Sequence, residues 1–330
     1  MECSYLGAEN EDGTWECMLR GKCCLLGPKP PGVTCEECSS QTTPNEKDFL
    51  AKWKDPLTVV DRHRVMATPI LRNMLAGGSA FLIGGGPSAN DLPIEDLNRK
   101  GVWSLAVNNV AAHHRFRPQA FVCSDPPMKF SHSIWWDPAI MKFIPSVKLE
   151  GRRGRIRYKE NGVFRRSKDH ASRCPNVWGF NRVSWLWPDD RFFLGNGACW
   201  GNHQAGTEKT GQPKTVCTML LGLRLLYFLG ARTIFLVGVD FQMRQGYGYS
   251  FNQDRDAGAV SSNNAQFAVV NRWLCEMRQN GTFDRFGLKI YNCFQFSGLR
   301  AFPFVPFNEA IRVAKGCVED KPDLSMWYQK

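Results

Sequence analysis

Four short apolar runs, each emptying into a polar or glycine turn, set the pattern of this chain. Ala80–Ile83 runs into Gly84-Gly85-Gly86-Pro87-Ser88, Val102–Val107 into Asn108-Asn109, Ala120–Ser124 into Asp125-Pro126, and Thr233–Val237 into Gly238-Val239-Asp240-Phe241. Continuous apolar runs of this length, bounded by turn residues, read as buried strands. Around them the pattern predicts helices at Leu92–Arg99, Thr215–Leu229, Asn264–Met277 and Asn308–Lys315, helix within Lys47–Leu75, and a further strand at Leu288–Tyr291. Buried strands alternating with helical or loop segments predict an α/β fold, a doubly wound, mostly parallel, Rossmann-like sheet. In such sheets ligands lie outside the carboxyl ends of the strands, so the residues of those four turns are the ones to weigh.

The glycine turn carries the clearest chemistry. Gly84, Gly85 and Gly86 let the backbone approach an anion and take conformations that a Cβ forbids, and the first amides of a following helix would face it. Ser88 supplies a hydroxyl donor or an N-cap. Asn108 and Asn109 add two-way hydrogen-bonding amides suited to a ribose or a base edge, and Asp125 adds a carboxylate. Each of these residue types also ends strands simply as a turn former.

Between about 127 and 213 the alternation loosens into aromatic, basic and glycine-rich sequence, expected to be an insertion or lid on the sheet. Charge concentrates there. The net charge of the 330 residues is +11, yet residues 1–48 carry −5, so residues 49–330 carry +16. Nine of the 23 residues from Gly151 to Arg173 are Lys or Arg. Arg152, Arg153, Arg155, Arg157, Arg165 and Arg166, with Trp200 beyond them, are the candidate contacts for an acceptor or polyanion such as DNA or an anionic glycan. A solvated loop is the plain alternative.

Residues 1–48 form a different kind of sequence, with Cys3, Cys17, Cys23, Cys24, Cys35 and Cys38 set among Gly, Pro and polar residues. With too little apolar content for a core, this segment is expected to be a small module held by a structural zinc on four of those six thiols, Cys35 and Cys38 forming one C-x2-C half-site. An iron–sulfur cluster or plain thiols would satisfy the same pattern. The domain from 49 to 330 follows. No apolar stretch reaches the length of a membrane span, and the acidic, polar start lacks the plan of a signal peptide, so no membrane insertion and a cytoplasmic location are expected.

The order of motifs, strand then G-x-G-P-S, strand then an Asn turn, strand then D-P, and later L-G-A-R-T-I-F-L-V-G-V-D-F with a Tyr-rich loop, is similar to bacterial lipooligosaccharide sialyltransferases. It resembles also the wider superfamily of motility accessory factors and 6-hydroxymethylpterin diphosphokinases. The resemblance covers about Ala80–Asp125 and Thr215–Phe304, and implies a sialyltransferase-like variant of the glycosyltransferase A fold. It implies that Gly84 to Ser88 hold the nucleotide phosphate of a nucleotide-activated sugar. It likewise implies that Asn108, Asp125, Thr215 or Thr218, Gly238, Asp240, Tyr247 and Tyr249 stand at or near the donor. Two departures stand out: Gly85 occupies a position usually held by Asn, and no histidine follows the Gly-x-Asp strand, His203 being the last in the chain. Asp125, His203, Asp254 and Asp256 are therefore the candidate bases.

These readings converge on a nucleotide-sugar-dependent glycosyltransferase, metal-independent in catalysis for want of a D-x-D motif and inverting by the family's habit. The favoured acceptor is a hydroxymethylated pyrimidine in DNA. The alternatives are transfer to a cell-surface glycan, pyrophosphoryl transfer of the pterin type, and a non-catalytic zinc-bearing nucleic-acid-binding protein.

Overall fold

A computed structural model describes residues 6–9, 15–17, 22–24, 57–61, 64–67, 71, 73–145, 148–149, 151–160, 163–180, 189–194, 217–244, 249–250 and 257–316. Strands β1 (Leu6–Glu9), β2 (Trp15–Cys17) and β3 (Lys22–Cys24) make a small antiparallel sheet in the cysteine-rich segment. The large sheet is built from β4 (Leu57–Asp61), β5 (Arg64–Ala67), β6 (Ser79–Ile83), β7 (Ser104–Val107), β8 (Ala120–Val122), β9 (Met141–Pro145), β12 (Val177–Phe180), β13 (Thr233–Val237) and β14 (Lys289–Asn292). Between β9 and β12 a separate hairpin pairs β10 (Arg155–Glu160) with β11 (Val163–His170).

The nine strands lie in the order β14-β13-β6-β7-β8-β9-β12-β4-β5. From β14 to β12 every pairing is parallel; β4 and β5 close the far edge antiparallel. Because side chains alternate along a strand, each strand feeds both faces. Ala80, Leu82, Leu105, Val122, Ile234 and Leu236 enter one core; Phe81, Ile83, Ala106, Phe121, Phe235 and Val237 enter the other. The first core is completed by α3 (Thr218–Phe228) and α4 (Ala257–Gln279), through Leu220, Leu223, Trp273 and Leu274. The second is completed by 3-10 turns at Pro87–Asp91, Ile94–Asn98 and Asn108–Ala112, by α1 (His132–Trp136) and by α6 (Phe307–Lys315). Two further short helices are α2 (Arg191–Leu194) and α5 (Thr282–Arg285). Both faces are covered, as a doubly wound parallel sheet requires.

Two expectations change, and one segment carries an element the pattern did not name. The helix expected at Leu92–Arg99 is a single 3-10 turn, because Pro87 and Pro93 lie six residues apart and a proline drives the residue before it out of helix; Leu92 is extended, at φ −102° and ψ 151°. Within Lys47–Leu75 the described residues include the β4–β5 hairpin, where Thr58-Val59-Val60 favours extended backbone and Asp61 pairs with Arg64. The stretch expected as an insertion from 127 to 213 contributes β9 and β12 to the main sheet, so within it the β10–β11 hairpin is the added element among the described residues.

Candidate functional site

The strand order reverses between β6 and β13: β7, β8 and β9 extend the sheet on one side of β6, while β13 and β14, later in sequence, extend it on the other. A crevice at the carboxyl ends of two such strands is where open α/β sheets take ligands. Here the two strand exits cross tightly. Gly84 N–H donates to Val237 O and Gly86 N–H to Gly238 O, both at 2.7 Å. A Cβ on Gly84 would lie 2.5 Å from Gly238 O, and one on Gly238, whose φ is +61°, would lie 2.5 Å from Gly84 O. Gly86 leaves no more room, its Cβ position being 2.5 Å from the carboxylate of Asp240. The glycines are thus demanded by the crossing itself.

Asp240 fastens this crossing. Its buried carboxylate accepts the Ser88 N–H at 3.0 Å and the Ser88 hydroxyl as well. Burial pushes the carboxyl above its usual range, and the two Ser88 bonds oppose that shift. Ser88 and Asp240 are therefore turned toward each other. Pro87 has no N–H, so of the loop amides from Gly84 to Ser88, Gly85 is the one these bonds leave to a ligand.

Around the turn stand the other strand ends. Asn108 takes the left-handed conformation, φ +60°, and its Oδ1 is buried without a partner among the described residues. Asn109 is used as a bracket, its amide donating to Lys129 O at 3.1 Å and its Oδ1 accepting Ser131 N–H at 3.1 Å. Beyond β8, the hydroxyls of Ser124 and Thr218 meet at 3.2 Å, and Asp125, half exposed, pairs with Lys129 at 3.2 Å. Thr218 is the first residue of α3, a nearly all-buried helix. Cys217 before it turns its sulfur to the amides of Met219 and Leu220, and burial pushes this thiol up to about 11. Tyr249 is half-buried, and the next residue, Ser250, donates its N–H to Gly85 O at 3.1 Å.

The structure thus gathers Gly84–Ser88, Gly238 and Asp240 in one crossing and places Ser124 beside Thr218. Thr215, Tyr247, Trp200, His203, Asp254 and Asp256 lie outside the described residues. The candidate basic contacts sit on and just before the β10–β11 hairpin: Arg153, Arg155 and Arg165 are exposed, and Arg157 donates to Lys129 O at 3.3 Å, with burial pulling its guanidinium down. Arg157 lies opposite Arg166 in the ladder. The side chains of Arg152 and Arg166 are outside the described residues.

Two buried groups beside the turn, His113 and Ser250, escape sequence reasoning. The one hint for His113 is that it directly follows the apolar Val110-Ala111-Ala112. No signal marks Ser250, which is placed by a bond to Gly85 across more than 160 residues.

For metals, the β2–β3 register sets Cys17, Cys23 and Cys24 on neighbouring strands, opposite Lys22, Glu16 and Trp15 respectively. The side chains of these three, and Cys3, Cys35 and Cys38 altogether, are outside the described residues. Among the described residues no cluster of three or more His, Cys, Asp or Glu stands ready to hold a metal, and no helix is long and apolar enough to cross a membrane.

No family model matches the chain, and no curated protein matches it. Among solved structures it is similar to the sialyltransferase CstII from Campylobacter jejuni in complex with a substrate analogue, cytidine-5′-monophosphate. The identity is 13% and the TM-score 0.35, over 71% of this chain and 86% of that one.

Proposed function

We propose that the chain is a nucleotide-sugar-dependent glycosyltransferase whose donor phosphate lies on the Gly84–Ser88 turn. The observation that carries this reading is the crossing of two glycine-bearing strand exits at the strand-order reversal, clamped by Asp240 on Ser88, with the Gly85 amide left for an anion. The motif order read from the sequence supports the reaction class.

In this reading the Gly85 amide, the Asn108 carboxamide, and the Ser124 and Thr218 hydroxyls at the start of α3 meet the charge that grows on the departing phosphate. Tyr247 and Tyr249 cover it from the loop after β13. Asp125, at the mouth of β8, takes the proton of the acceptor hydroxyl. His203, Asp254 and Asp256 are the other candidates for that role. The β10–β11 hairpin forms the acceptor side. Its ladder sets Arg157 opposite Arg166, and like charges directly opposite are destabilising, so the hairpin gains from a polyanionic acceptor, and DNA and anionic glycans both meet that need. The amino-terminal cysteines hold a structural zinc, which elemental analysis of the purified protein would detect.

The test incubates the protein with a panel of nucleotide sugars and no added metal, following donor hydrolysis, and then adds either hydroxymethylpyrimidine DNA or an anionic oligosaccharide. Hydrolysis of one donor, with acceleration by one acceptor, is the expected result. Reversing charge with Arg155→Glu and Arg165→Glu lowers acceptor kcat/KM about 10-fold while leaving donor hydrolysis alone. Asp125→Asn lowers transfer about 100-fold or more. Absence of binding or hydrolysis across the whole panel would overturn the reading.

A further inference from the structure

After β13 the chain touches the glycine turn twice. It leaves the crossing at Asp240, whose carboxylate holds Ser88, and it is back at Ser250, whose N–H donates to Gly85 O at 3.1 Å. Between these two anchors the sequence is Phe-Gln-Met-Arg-Gln-Gly-Tyr-Gly-Tyr, and Arg244 is the single charge in it. Arg244 is exposed, and its guanidinium makes no hydrogen bond or ion pair among the described residues. The backbone leading to it is braced. The Phe241 ring stacks on Phe267 at 4.8 Å, and the Gln242 side-chain amide donates to Phe296 O at 3.0 Å. Asn264 of α4 grips Met243 twice, its Oδ1 accepting the Met243 N–H at 2.8 Å and its amide donating to Met243 O at 2.9 Å. An arginine on a braced backbone, with its whole fork uncommitted, has less to lose on binding an anion.

The charges around the turn show what that fork is for. The Asp240 carboxylate lies in the crossing, and Asp91, which ends the 3-10 turn containing Ser88, is near enough to act on it. Cations at the neighbouring strand exits are already spent: Arg115 pairs with Glu95 at 2.5 Å, and Lys129 with Asp125 at 3.2 Å. A phosphate arriving at the Gly85 amide therefore meets one backbone N–H and a surplus of carboxylate, and needs a positive partner. We propose that Arg244 is that partner, its guanidinium binding the phosphate of the donor nucleotide against the Gly85 turn.

Two N–H groups of one guanidinium match two oxygens of one phosphate, which a lysine's point charge does not. In transfer, the bond from the anomeric carbon to the phosphate oxygen breaks while the acceptor oxygen bonds to that carbon. The electron pair stays on the phosphate oxygen, where Arg244 meets the growing charge, and the acceptor's proton goes to the base.

This inference rests on the phosphate reading of the turn, and the experiment separates the two. Binding constants for inorganic pyrophosphate and the four ribonucleoside 5′-monophosphates are measured by calorimetry. The proteins are the wild type, Arg244→Gln, Arg244→Lys and Lys289→Gln, the last removing an exposed charge at the amino end of β14, away from the turn. Because Arg244 is exposed, its variants are expected to keep the wild-type urea midpoint. Arg244→Gln weakens binding of whichever ligand the wild type takes by about 10-fold or more. Arg244→Lys, which keeps the charge without the fork, weakens it less, and Lys289→Gln stays within about 2-fold. With a nucleotide sugar that the wild type hydrolyses, Arg244→Gln lowers kcat about 100-fold, and millimolar guanidinium ion restores part of it. Affinity within about 2-fold of wild type in Arg244→Gln, or an equal loss in Lys289→Gln, overturns the role of Arg244 and leaves the phosphate turn standing. Failure of the wild-type protein to bind any of these ligands overturns the phosphate reading, and the role of Arg244 with it.

Discussion

Asp240 illustrates how a residue read as a ligand contact can also hold its own fold together. Its carboxylate takes both donors of Ser88, and its backbone oxygen takes the Gly298 N–H at 2.7 Å and the Ser297 hydroxyl at 3.2 Å. One residue thus ties the glycine turn to the segment that follows β14. Replacing it tests that role. Asp240→Ala leaves the Ser88 N–H buried without an acceptor and is expected to cost about 2–4 kcal/mol, read as a lower urea midpoint. Asp240→Asn keeps one carbonyl for that N–H and offers its amide to the Ser88 oxygen, so a cost below about 1 kcal/mol is expected. Equal losses in the two variants would mean that the pair does not hold the turn. From sequence the Gly-x-Asp pattern identified the position, but the partner lies 152 residues away and nothing local names it.

At the scale of elements, the unbroken apolar runs were legible: β6, β7, β8, β13 and α3 fall close to where the pattern puts them. Among the strands that escaped was β9, Met-Lys-Phe-Ile-Pro, whose apolar run is broken by Lys142. That lysine is fully buried, its ammonium satisfied by Asp137 O and by Pro175 O at 2.7 Å, and burial pulls it down to about 8. Such a satisfied buried charge reads from sequence as surface. The contact of α3 with the sheet has its own signature in Gly222, where a Cβ would lie 2.6 Å from Leu82 Cδ1 and 3.6 Å from Leu105 Cδ2. Glycine within a helix ordinarily costs up to about 1 kcal/mol relative to alanine. Here the order is expected to reverse. Gly222→Ala forces Leu82 to move in a packed core, and a net loss of about 1–2 kcal/mol should appear in thermal or urea unfolding. Trimming the neighbour in Gly222→Ala with Leu82→Val should recover part of the loss, giving non-additivity between the two sites. A stabilised single variant would show that α3 can withdraw from the sheet without cost.

At the scale of the whole molecule, the doubly wound parallel sheet was readable from strand spacing, whereas the place where its strand order turns back was not. The pairing of β6 with β13 joins residues about 150 positions apart, and only the folded chain reveals that the glycines of the two exits exist for one another. The same assembly buries His113 among the turn after β7, the Glu95 and Arg115 pair at 2.5 Å, the stacked His114 and the backbone of Ser250. That burial has a global consequence. The folded protein holds His113 at about 4, below its ordinary 6.5, so between these pH values the unfolded chain binds a proton that the folded one refuses. The stability contributed is complete above pH 6.5 and is lost as the pH falls toward 4, by at most about 3 kcal/mol. Urea unfolding at pH 7 and at pH 4.5 measures it. The wild-type protein should lose about 2 kcal/mol more over that interval than His113→Gln, which cannot titrate there. Equal losses in the two proteins would place the imidazole in contact with water and remove it from the buried wall behind the Gly85 turn.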